Sequence, residues 1–95
     1  VSVQVLNTAY DPGSGVIAVA GQVVGVVSDS GICTATATQD AQQVTAEAPG
    51  MANTAETYCN VSVTLPGGST GTWNIELSFA DSTHSGTVSS TIEVG

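Results

Sequence analysis

Three observations predict an all-β sandwich for this chain of 95 residues. Apolar and polar side chains alternate with a period of two along most of its length, and no stretch keeps a 3.6-residue period. Clusters of Gly, Pro, Asp and Asn interrupt the alternation at short intervals. Seven short strands separated in this way predict two antiparallel sheets packed face to face in a single domain, residues 1–95.

The first strand covers 1–6, where Val1, Val3 and Val5 alternate with Ser2 and Gln4. Tyr10-Asp11-Pro12-Gly13-Ser14-Gly15 is a run of turn formers and reads as a loop. The second strand covers 16–27, and its Gly21 and Gly25 predict bulges or close approaches of another backbone. Ser28-Asp29-Ser30-Gly31 turns the chain into a third strand at 32–39, with Cys33, Ala35 and Ala37 on one face. A tight turn at Asp40-Ala41 leads to the fourth strand, 42–48. Its Val44/Ala46/Ala48 alternation and the following Pro49-Gly50 outweigh a helix-like composition. After a loop at 49–56, the fifth strand covers 57–65 with Cys59, Val61, Val63 and Leu65 inward. The sixth, 72–79, carries the predicted core: Trp73, Ile75, Leu77 and Phe79 share one face. The seventh covers 85–94, with Val88, Ile92 and Val94 inward.

Charge narrows the function. Eight carboxylates (Asp11, Asp29, Asp40, Glu47, Glu56, Glu76, Asp81, Glu93) occur with no Lys or Arg, giving a net charge of −8. Nucleic-acid binding needs cations that displace phosphate counterions, so it is excluded, as is attraction to anionic lipid. Schiff-base chemistry and phosphate clamping also require a Lys or Arg. No apolar run reaches the ~18 residues of a membrane helix. Like charges repel more on a compact body than along an extended chain. Stability is therefore expected to be higher near pH 4–5 than near pH 7 by ~1 kcal/mol, with salt offsetting the difference.

The two cysteines, Cys33 and Cys59, lie in phase with the inward positions of their strands. A metal site would need four ligands, and besides scattered acids the chain offers only His84. A reactive thiol would need a nearby cation. One Cys33–Cys59 disulfide, and with it an oxidising compartment outside the cell, is the reading these residues favour. The chain opens at Val1 with no signal peptide, which reads as a processed protein or a domain cut from a longer one.

The segments Gly15-Val16-Ile17-Ala18-Val19-Ala20-Gly21, Asp29-Ser30-Gly31-Ile32-Cys33-Thr34-Ala35-Thr36-Ala37-Thr38, Thr57-Tyr58-Cys59 and Gly71-Thr72-Trp73-Asn74-Ile75-Glu76-Leu77-Ser78-Phe79 carry a resemblance. In this order they resemble bacterial immunoglobulin-like domains of exported proteins, of actinobacterial type, over about residues 10–94. The resemblance implies a seven-stranded immunoglobulin-like or fibronectin-III-like β-sandwich and transfers no catalytic residue. It departs from antibody domains, because the cysteines fall on the third and fifth strands and Trp73 on the sixth.

Several residues invite a chemical role. Asp81 and His84 with Ser82 or Ser85 suggest a hydrolase triad, but residues crowded into one turn seldom place a base between nucleophile and orienting acid. Aspartates 11, 29, 40 and 81 fall in turns, where their side chains cap backbone amides, and no calcium-loop spacing links them. Trp73, Tyr10 and Tyr58 could stack on a sugar, although Trp73 is in phase with the core. Asn60-Val61-Ser62 is a formal glycosylation acceptor.

The expected protein is therefore non-catalytic, without cofactor or metal. It is a secreted or cell-surface spacer, adhesin domain or assembly subunit, whose partners are copies of itself or neighbouring domains. An odd number of antiparallel strands would put Val1 and Gly95 at opposite poles. The alternative is a carbohydrate- or small-ligand-binding accessory domain of a secreted enzyme.

Overall fold

In the computed structural model, which describes residues 1–94, the alternation resolves into eight strands and no helix. They are β1 (Ser2–Asp11), β2 (Val16–Val24), β3 (Ile32–Gln39), β4 (Gln42–Pro49), β5 (Met51–Ala52), β6 (Glu56–Thr64), β7 (Gly71–Ala80) and β8 (Ser85–Val94). One sheet has the order β1-β2-β6-β5 and the other β4-β3-β7-β8, with every neighbouring pair antiparallel.

The seven-strand expectation is corrected to eight by β5, which lies in the segment 49–56 read as a loop. Pro49 cannot donate to a ladder, so pairing with β3 stops there. The Gly50 amide instead donates to the Gly31 carbonyl (2.9 Å), and the chain crosses to the other sheet, where Met51 and Ala52 pair with Tyr58 and Thr57. A single run of chain thus edges both sheets in turn.

Two other boundaries move for local reasons. The register of β1 on β2 shifts between Val5 and Asn7, leaving Leu6 as a bulge, after which β1 continues to Asp11 rather than ending at 6. Gly21 faces this bulge and is itself a close approach: a Cβ there would lie 2.7 Å from the Gln4 carbonyl oxygen and collide with Leu77. Gly25, at φ +74°, ends the second strand at Val24 instead of 27.

Ile17, Val19, Val23, Val61 and Val63 from one sheet meet Cys33, Ala35, Ala37, Trp73, Ile75, Leu77 and Phe79 from the other in one buried cluster. Ala35 and Ala37 stand beside Leu77 and Ile75 in register, so small side chains on β3 make room for large ones on β7. Among the described residues Trp73 is the largest fully buried side chain, and its indole Nε1 finds no hydrogen-bond partner there. Cys33 and Cys59 are bonded to each other, joining β3 to β6 and therefore one sheet to the other, with Cα atoms 5.8 Å apart.

Thr57 and Ser28 are the buried polar side chains among the described residues, and Thr57 is completely buried. Its hydroxyl donates to the Val26 carbonyl (2.7 Å) and accepts from the Ser28 amide (2.9 Å), tying the β2–β3 loop to β6. Thr57→Val keeps the shape and strands both backbone groups. It is expected to cost about 1–3 kcal/mol, measured as a lowered urea midpoint at unchanged slope.

The strands define two poles. The near pole gathers Val1, the β2–β3 loop, the Pro49-Gly50 crossing and the β7–β8 turn; the far pole gathers the β1–β2, β3–β4 and β6–β7 turns. The Val1 ammonium donates to the Ser85 carbonyl (2.9 Å) at the near pole. From there β8 extends ~33 Å at strand rise, in a body 39 Å long, and ends at Val94 at the far pole. Gly95, named in the sequence expectation, lies outside the described residues.

Candidate functional site

The β7–β8 turn holds the acid and base that the sequence singles out. Asp81 Oδ1 accepts hydrogen bonds from the amides of Thr83 (2.8 Å) and His84 (2.6 Å) and lies 3.2 Å from His84 Nδ1. The carboxylate side chain is only 6 % exposed. The Thr83 amide holds its pKa far below the usual carboxylate range, against the opposing pull of desolvation. The Ser28 hydroxyl and the amide and ring of His84 add to the lowering. Asp81 is thus a cap closed over by its own turn and by the β2–β3 loop. His84 Nδ1 also contacts Thr83 Oγ1 (2.9 Å), while neither Ser82 nor Ser85 forms a hydrogen bond to its ring among the described residues. Acid and base are brought together; the serines are not.

This cap has a pH signature. The folded pKa of Asp81 lies below the unfolded one, so its stabilisation is present above about pH 4 and is lost as pH falls through the folded value. Asp81→Ala is expected to melt at a lower temperature than the parent at pH 7. The gap should close as pH is taken from 4 towards 2, and parallel melts across that range check it.

The remaining candidates are scattered. Asp11 caps the β1–β2 turn, its carboxylate accepting from the Gly13 amide (3.0 Å) and the Ser14 hydroxyl (3.0 Å). Asp29 and Asp40 are exposed, and Asp40 takes φ 51° as the first residue of the two-residue β3–β4 turn. No three His, Cys, Asp or Glu side chains gather among the described residues, and no cleft opens there. The aromatics do not form a platform. Trp73 is inside, and Tyr10 packs on the core near the far pole. Tyr58 faces outward near the other pole, its hydroxyl donating to Glu56 (2.8 Å), a bond that raises the phenol pKa. Asn60 and Ser62 are exposed on the outer face of β6.

What the surface does offer is unspent main-chain hydrogen bonding along one flank. In the β3–β4 hairpin the pair closing the two-residue turn, Gln39–Gln42, is hydrogen-bonded, and an unbroken register carries the alternation along β4. Gln42, Val44, Ala46 and Ala48 therefore turn their backbone groups to β3, whereas Gln43, Thr45 and Glu47 turn theirs outward. The Thr36 and Thr45 hydroxyls, 3.4 Å apart, fit the closer side-chain spacing of a pair without main-chain bonds. On the same flank β5 covers only Thr57 and Tyr58 of β6, leaving the outer edge of 60–64 unpaired among the described residues. Inward Val44, Ala46 and Ala48 are only half-buried, because the short β5 leaves this side of the sandwich open.

Sequence reading placed β4 but missed this flank, since the length of β5 decides it and two residues carry no periodicity. The Asp81 cap had a local signal in the spacing Asp81-Ser82-Thr83-His84, where an aspartate faces the amides two and three residues on. Compared with family models, curated proteins and solved structures, the chain found no match.

Proposed function

We propose that this chain is a non-catalytic structural or interaction module of the cell exterior, of immunoglobulin-like type, acting as a spacer, adhesin domain or subunit of a surface assembly. The observation that carries the reading is the distribution of unused recognition chemistry. The acidic and basic side chains of the β7–β8 turn are spent on their own turn, and Trp73 is spent on the core. The main-chain edges of β4 and β6 remain free, and a free edge recognises another strand.

The strand order supports the immunoglobulin-like part. β1-β2-β6-β5 facing β4-β3-β7-β8 corresponds to an A-B-E-D sheet on a C′-C-F-G sheet, the arrangement of such sandwiches, with the disulfide moved to C and E. It is also the support for the resemblance to bacterial immunoglobulin-like domains, through fold-level analogy. The disulfide supports the compartment, because such bonds persist in oxidising surroundings.

Two measurements test the proposal. Fractionation of the producing cells should place the protein outside the cytosol with its cysteines oxidised; a cytosolic, reduced protein overturns it. Incubation with cellulose, chitin and peptidoglycan should leave the protein in the supernatant. Retention on any of them replaces this reading with the carbohydrate-binding one.

A further inference from the structure

We infer that the free edge of β4 pairs with β4 of a second copy of this chain, antiparallel, about a two-fold axis at Thr45. The inference rests on the interaction-module reading and supplies its partner and register.

The other edges are blunted, each for its own reason. β1 carries the Leu6 bulge, which interrupts pairing. β8 has β1 packed along it, with the Val1 ammonium on the Ser85 carbonyl and Gly86 close against the Val1 carbonyl. β5 is two residues long. The free part of β6 backs onto Val61 and Val63, which are already buried, so pairing there would remove little apolar surface from water. β4 is unbulged over 42–48, has no Lys or Pro in that span, and carries Glu47 as its one charge. Bulge, Lys and Pro are thus absent from the span, and Glu47 is the one obstacle to edge pairing that a partner strand must accommodate.

The strand is complementary to itself in one register. A two-fold axis at Thr45 sets Gln43 against the second copy's Glu47, Thr45 against Thr45, and Glu47 against Gln43. The outward-turned amides and carbonyls of all three residues are then paired, two bonds to each narrow pair. The Gln43 carboxamide can donate to the carboxylate opposite it, which suits a chain that has no cation to offer. On the inner face Val44 meets Ala46, a larger side chain beside a smaller one, and the half-buried row is covered. An axis at Glu47 would oppose two carboxylates, and an axis at Gln43 would leave most of the strand unpaired. With the axis at Thr45 the sheet β4-β3-β7-β8 becomes continuous across two molecules.

Hydrogen exchange and sedimentation test the inference on the intact protein, from micromolar to millimolar concentration. The amides of Gln43, Thr45 and Glu47 should exchange fast in dilute solution and slowly in concentrated solution. Those of Val44, Ala46 and Ala48 should be protected throughout. Salt should favour the dimer, since each copy carries −8.

Gln43→Lys should tighten the dimer about five- to tenfold through two symmetry-related pairs, and Gln43→Glu should loosen it comparably. The same charges placed at exposed Ser89 on β8 should have little effect. Thr45→Pro removes an outward amide and should abolish association; folding is checked by circular dichroism, and Gln43→Glu stands in if it fails to fold.

A protein monomeric at millimolar concentration overturns the pairing. A dimer that responds equally to charge at 43 and 89 overturns the register. Neither result touches the module reading, which falls instead if the monomer is retained on a polysaccharide.

Discussion

Trp73→Ala is expected to lower stability by about 3–5 kcal/mol, the cost of emptying a large site in a packed core. For a domain of this size that is a fall of about 15–30 °C in melting temperature, if the variant folds at all. The reason lies in the packing. Trp73 is completely buried on β7, in the cluster formed by the inner faces of both sheets, and β3 opposes that strand with cysteine and alanine side chains too small to fill the space. Trp73→Phe should cost clearly less, because it keeps a ring in the site and removes the indole donor that has no partner. Blue-shifted emission, weakly quenched by iodide or acrylamide, should accompany the parent's fold. Red-shifted, easily quenched emission would contradict the burial and reopen the sugar-stacking role.

The second large effect is loss of the disulfide. Cys33 and Cys59 are 26 residues apart, and closing a loop of that length restricts the unfolded chain by about 3.5 kcal/mol in entropic terms. The bond also joins the two sheets, so its removal leaves them held by side-chain packing, the chain crossings and the Val1–Ser85 hydrogen bond. Reduction, or the Cys33→Ser/Cys59→Ser pair, is expected to lower the guanidinium midpoint accordingly. The mass of the native protein should be two hydrogens below that of the reduced chain. An unchanged midpoint after verified reduction would place the stability elsewhere.

The fold was legible where one face of a strand is buried. On β7, Trp73, Ile75, Leu77 and Phe79 alternate with exposed or half-buried polar neighbours, and both the strand and its inward face can be read directly. Legibility failed where the backbone departs from a period of two. Leu6 breaks the alternation because it sits in a bulge, so the reading of the first strand stops there while the strand itself goes on to Asp11. Val26 and Val27 prolong the apolar run of the second strand, but Gly25 has already turned the chain, and Val26 is buried as part of a loop. The latch of Thr57 on Val26 and Ser28 joins residues about 30 positions apart, and no local pattern announces it. Within the β7–β8 turn the residue types were evident. So was the capping role of the aspartate, whose carboxylate accepts from the amides two and three residues on.

The opposed positions of Val1 and Val94 have a mechanical consequence. A force drawing these two points apart acts along the axes of β1 and β8, which leave the near pole in the same direction. The ladders β1–β2 and β7–β8 are then loaded in shear, so their bonds must yield together instead of unzipping one after another. Once they do, the Cys33–Cys59 bond withholds the 26-residue span between them, about 90 Å of extended chain, from the length released. Under tension the domain is built to give way late and to release about a quarter less length than the same chain without the bond.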